Sequence, residues 1–203
     1  MRLSSTRLVI GTLAAIFLVA AFIFLDRFCP ASGLALSESV RTVHRLKNRT
    51  SFPQPSDFDS QVSLSNVLAP GRDETRWSQT KAARIEGYVV SVGKGGIELA
   101  NCYSPCRRDI HIDVALRRDA PPGERMVVEV TPYFERLNAS QGVDWSEQRL
   151  KQSLVGRWCR IEGWLFYDIS HDEESTNTHQ GGSNIWRATG WEIHPVTKIE
   201  IIE

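Results

Sequence analysis

The sequence has no excess of charge. It holds 24 Lys and Arg against 24 Asp and Glu over 203 residues. From residue 81 onward there are 15 Lys and Arg and 18 Asp and Glu, so acids lead by three. A surface that follows a phosphate backbone needs the opposite sign, which disfavours nucleic acid as a partner. The basic pairs in "CRRD" and "LRRD" each carry their own aspartate. Several catalytic signatures are also missing: there is no Gly-x-Ser-x-Gly elbow, no Walker loop and no Gly-x-Gly-x-x-Gly turn. Cysteine is scarce, at Cys29, Cys102, Cys106 and Cys159. A zinc knuckle would need a second close pair. The stretch "CYSPC" is therefore expected to close a small disulfide between Cys102 and Cys106. Cys159 lies in an apolar strand pattern and reads as a buried thiol.

Charge is absent altogether from residues 8–25, "LVIGTLAAIFLVAAFIFL". At about 1.5 Å per residue this run spans roughly 27 Å, close to a hydrocarbon core. Arg2 and Arg7 precede it, which holds the N-terminus in the cytoplasm and sends the rest across. Cleaved signal peptides have apolar regions of only about 7 to 15 residues, so an uncleaved anchor is preferred. "DRF" before Cys29 fits lipoprotein processing poorly. The expected layout is a cytoplasmic end and transmembrane anchor over 1–27, a flexible extracytoplasmic stalk over 28–80, and a folded domain over 81–203. This makes a single-pass protein of the cell inner membrane. The stalk segment is rich in Ser, Pro, Asp and Asn, a composition that buries too little apolar surface to offset its ordering entropy. A short helix over 36–47 is expected, with Val40, Val43 and Leu46 on one face. Asn48 and Asn138 match the short, common N-glycosylation pattern.

From residue 81 the pattern turns to strands. "ARIEGYVVSV" and "IELANC" read as two strands around a "KGG" turn. "RDIHIDVAL" alternates, with Ile110, Ile112, Val114 and Leu116 on one face and Asp109, His111 and Asp113 on the other. "RMVVEVTP" is a strand stopped by Pro132. "DWSEQRLKQSLVG" reads as a helix capped by Ser146 and ended by Gly156. "RWCRIEGWLFYD" echoes the first strand. "IWRATGWEIHPVTKIEII" supplies the last strand or two, with Pro195 at a bulge or edge. Mid-strand glycines let a sheet coil at barrel corners. The fold class is thus mainly β: a small OB-like barrel with one helix before the last two strands. "RRDIHIDV", "VVEVTP", "RIEGWLFYD" and "NIWRATGWEIHPV" together resemble a group of uncharacterised bacterial exported or membrane-anchored proteins with one OB-like barrel. That resemblance covers about residues 82–202. It implies a fold and an exported location, and no activity.

Candidate site residues gather around "HDEESTNTHQGGSNIWRATGWEIHPV", residues 171–196. In an OB-like barrel this loop joins the last two strands, where the fold's ligands often bind. The preferred reading is a binding module for an envelope protein, a glycan or a small ligand, with His171, Trp186 and His194 marking the contact patch. Trp164 and Trp186 are candidates for exposure, and Trp191 for the core. The alternative is a hydrolase in which zinc or another divalent metal, held by His111, His171 and His194, activates water with Glu174 as base. Glu192 would orient His194. The histidines lack a compact ligand spacing, so no cofactor is expected on the preferred reading.

Overall fold

The computed structural model describes Ile10 and residues 28–203. The expected anchor, residues 8–25, lies outside this range save for Ile10. Among the described residues no helix is long and apolar enough to cross a membrane.

Five strands form one closed barrel: β1 (Ala82–Lys94), β2 (Ile110–Ala115), β3 (Met126–Val130), β4 (Trp158–Tyr167) and β5 (Trp191–Ile201). Their order around the barrel is β1-β2-β3-β5-β4. All neighbours are antiparallel except β3 and β5. The long first strand makes closure possible. Its first half pairs with β4 and its second half with β2, with a register shift between Val89 and Ser91. The echoed "RIEG" segments lie directly opposite each other, Ile85 against Ile161. Gly163, in the β4 copy of the echo, sits at a bulge against β5. A Cβ there would lie 2.2 Å from the Pro195 carbonyl oxygen, so only glycine fits.

Alternation sorts the residues as expected in β2. Ile110, Ile112 and Val114 enter the core and His111 and Asp113 face outward. Leu116 lies beyond the strand's end and is exposed. Cys159 is a free, fully buried thiol, and burial pushes it up to about 11. Trp191 is in the core.

Two helices, α3 (Pro132–Ser140) and α4 (Glu147–Leu154), bridge β3 and β4, where one was expected. Pro132 opens α3 rather than merely stopping a strand, since its missing N–H costs nothing at the first helical position. Ser146 caps α4, and Leu150 and Leu154 bury its apolar side. No strand forms in "IELANC": residues 95–109 are a loop in which Cys102 and Tyr103 adopt left-handed backbone angles. "IWRATG" is also loop, and only one strand follows it.

The largest departure lies before the barrel. Residues 28–80 are folded onto it, not extended as a stalk. Helix α1 (Glu38–Lys47) begins at Ser37, whose hydroxyl accepts from the Val40 N–H. Helix α2 (Leu64–Leu68) contributes Leu64 and Val67 to the core, with Val62 beside them. Gly87 of β1 admits this helix, because a Cβ there would meet the Leu64 side chain at 2.4 Å. Val62, Leu64 and Val67 are scattered through a polar segment, so composition hides them. The disulfide also differs from expectation. Cys102 pairs with Cys29, not Cys106, and ties the start of this segment to the 95–109 loop. Cys106 is a free, exposed thiol.

Candidate functional site

The outer face of β2, β3 and β5 is polar where it should meet water, yet it is buried. His111 and Glu129 are register partners on β2 and β3. The parallel contact of Val128 with Ile193 brings Glu192 and His194 beside them. Asp109, just before β2, completes the group. Asp109, Glu129, Glu192 and His194 are almost fully buried. The cover comes from the segment before the barrel. Lys47, the last residue of α1, reaches Glu98 at 3.0 Å and Asp168 at 3.2 Å while itself buried. Arg49 donates to the carbonyls of Gln79 (2.7 Å), Leu165 (2.8 Å) and His194 (3.4 Å).

The contacts form a chain. The Arg187 guanidinium pairs with Glu192 at 2.7 Å, both fully buried. The other Glu192 oxygen lies 3.2 Å from His194 Nδ1. His194 Nδ1 is also 3.2 Å from Glu129 Oε2, and Glu129 Oε1 is 3.0 Å from His111 Nε2. Asn101 donates to Asp109 Oδ2 at 2.7 Å. Burial opposes every charge here, and the neighbours decide which charges survive. Burial works against the Glu129 carboxylate, but His111, His194 and Lys47 hold it well below the usual range. Burial likewise opposes protonated His111 and His194, and the Glu129 charge outweighs it, raising His111 to about 9. Lys47 is raised by Glu129, Asp168, Glu98 and Glu192 against its own burial. Burial pushes Asp109 up to about 6, and no cation among the described residues is in contact with it.

A second cluster lies at the surface, in the loop between β4 and β5. Residues 169–174 turn through a short 3-10 helix. His171 Nδ1 is 2.6 Å from Glu174, which also accepts from Trp186 Nε1 at 2.6 Å. The Trp186 ring meets the His171 ring edge-on. These two hydrogen bonds hold the Glu174 carboxyl below its ordinary value. Burial pushes the Tyr167 hydroxyl up, and its bond to Asp172 adds to this.

The expected residues therefore fall into two groups. His111 and His194 share Glu129, whereas His171, Glu174 and Trp186 form their own surface cluster. His194 is fully buried and sits below α1, so it is not part of a surface contact patch. Trp164 is half-buried, with the Arg49 guanidinium over its ring and its Nε1 donating to Ser51. Glu129, Lys47, Arg187 and the fully buried Asp73 were not singled out in the sequence, and Asp109 was placed only on the polar face of its strand. A single glutamate inside the apolar run "RMVVEV" was a visible sign for Glu129. Nothing local marked Lys47 or Asp73.

Above the buried network lies a groove of about 580 Å³ between α1, residues 97–103 and residues 168–171. Val40, Val43, Ile97, Tyr103 and Ile169 line it with exposed apolar surface, and Lys47, Asp168 and His171 place polar groups among them. The loops that bound it are those between β1 and β2 and between β4 and β5.

No protein-family model matches the sequence, and no curated protein is significantly similar to it. The class defined by the fold is a small, closed, OB-like five-stranded barrel.

Proposed function

We propose that the protein is a membrane-anchored, extracytoplasmic binding module that takes a segment of a partner protein into the groove between α1 and the two loops. The observation that carries this reading is the groove itself. Five exposed apolar side chains gather around it, and clustered exposure of this kind marks contact surfaces. The loops that bound it are those which bind ligands in OB barrels generally, although a fold alone assigns no ligand. The Cys29–Cys102 disulfide suits an oxidising compartment, as does the charge-free run at residues 8–25 preceded by arginines. Binding is favoured over hydrolysis because His171 and Glu174 bond to each other and to Trp186, apart from His111 and His194.

The test is site-specific photo-crosslinking of the full chain in its native membrane. A photoreactive residue at Ile97 or Val43 should give an adduct with one protein, and Tyr103→Asp should abolish it. The same probe at Val155, an exposed apolar residue just after α4, should give none. Equal labelling at Val155, or no protein adduct at either groove position, overturns the reading.

A further inference from the structure

Asp109, Glu129 and His194 are drawn from a loop and two strands and converge behind α1. One potential ligand atom from each lies within 4.8 Å of the others, and all three residues are buried. Each has one side-chain atom held by a neighbour and another with no hydrogen-bond partner among the described residues. Asp109 Oδ2 is held by Asn101, and Oδ1 has no partner. Glu129 Oε1 lies 3.0 Å from His111 Nε2, and Oε2 lies 3.2 Å from His194 Nδ1 without an aligned hydrogen bond. His194 Nδ1 is held by Glu192, which Arg187 fixes in turn, and Nε2 has no partner. Leaving a buried polar atom unpaired forfeits the hydrogen bonds it made to water. Three buried side chains packed this closely, with Asp109 Oδ1 and His194 Nε2 left without a partner among the described residues, form a pattern that the hydrogen bonds among those residues do not explain.

We propose that Asp109, Glu129 and His194 are the protein ligands of a divalent transition-metal ion of the zinc class. Two carboxylates and one imidazole suit such a borderline ion. Ligand bonds of about 2.0 to 2.2 Å place donor atoms some 3 to 3.5 Å apart, so side-chain rotations of about an ångström close the set. The contacts around the ligands include those metal sites use: the Glu192 carboxylate on His194 Nδ1 and the Asn101 amide on Asp109 Oδ2. The ion also offsets the mutual repulsion of two buried carboxylates. Because α1 covers the group, the ion is enclosed. Its role is to fasten β2, β3 and β5 under the helix, and it is independent of the groove proposed for the partner.

The experiment uses the full chain, purified in detergent with neither chelator nor His-tag. Elemental analysis should find about one zinc, manganese or iron per chain. Glu129→Gln and His194→Gln should lower that content at least tenfold with an unchanged circular dichroism spectrum, and His171→Ala should leave it intact. Should the variants unfold, stripped wild-type protein supplies the answer. Added Co²⁺ should give d–d absorption of a nitrogen–oxygen site, and Zn²⁺ should displace it and raise the melting temperature. Folded wild-type protein that is metal-free, and whose melting temperature neither Zn²⁺ nor Co²⁺ moves, overturns the proposal. The cluster is then a proton-sharing network in which the imidazoles carry the positive charge. Metal retained in both folded glutamine variants overturns it as well.

Discussion

Asp73 is the sharpest test of how residues 28–80 are attached. It is fully buried, although it comes from a segment whose composition reads as a linker. Its carboxylate accepts from Thr189 Oγ1 at 2.6 Å, the Gly190 N–H at 3.2 Å and Asn177 Nδ2 at 3.1 Å. Arg76 adds a contact at 3.3 Å, and the Asp73 carbonyl accepts from Trp191 Nε1 at 2.7 Å. Replacing Asp73 by alanine removes the acceptor for two buried donors, Thr189 and Gly190. Each orphaned donor costs about 1 to 3 kcal/mol. Arg76 and Asn177 are partly exposed and can turn to water, so they add little. The expected loss is therefore about 4 kcal/mol. Thr189 and Gly190 share one oxygen, Oδ2, so Asp73→Asn, which can keep that acceptor, should lose only about 1 kcal/mol. Urea unfolding followed by tryptophan fluorescence measures both, since Trp191 lies at the contact. A cycle with Thr189→Val should give a coupling of about 1 to 2 kcal/mol. A loss below about 1 kcal/mol for Asp73→Ala, with an unchanged denaturant slope, would refute the claim that this aspartate pins the segment to the barrel.

Two further outcomes follow from the same attachment. The Cys29–Cys102 bond closes a loop across a sequence separation of 73. The chain-entropy treatment gives such a loop about 4 kcal/mol. Cys29→Ser or Cys102→Ser should lose an amount of that order, Cys106→Ser almost nothing, and non-reducing peptide mapping should find the 29–102 pair. Asp168 supplies a pH dependence. Burial raises its pKa, but the Lys47 ammonium and the Ser170 bonds outweigh this and lower it from 3.8 to about 2. A depressed acid stabilises the fold above its unfolded value and loses that contribution as pH falls through the folded one. Stability should thus drop by about 2 kcal/mol between about pH 4 and pH 2 on this group's account. In Lys47→Met that part of the acid transition should be absent. Its persistence there would show that Lys47 does not set the Asp168 charge.

The barrel was legible because strand alternation and strand-interior glycines are local signals. Ile110, Ile112 and Val114 declare one face within five residues, and the two "RIEG" copies announce two equivalent strands. Cys159 and Trp191 could be assigned to the core from that periodicity alone. The site was legible only in fragments. His111 and His194 were singled out by residue type, but their meeting on Glu129 depends on the parallel pairing of β3 with β5, which no local pattern encodes. Lys47, Asp73 and Cys29 were opaque for a different reason. Their roles come from partners 51 to 121 residues away in sequence. Composition judged their segment by its average polarity, whereas a few side chains, Val62, Leu64 and Val67, suffice to dock it.

The position of β5 has a consequence for synthesis. This strand follows every other element in the chain, yet it pairs with both β3 and β4, and it carries Glu192 and His194. A ribosome delivers it after the other four strands. Until it emerges, β3 and β4 each present an open edge, and the ionic network lacks Glu192 and His194. Pairings of such long sequence separation form late, and unpaired edges are prone to association in the interval. The barrel closes only when residues 191–201 fill the gap between β3 and β4.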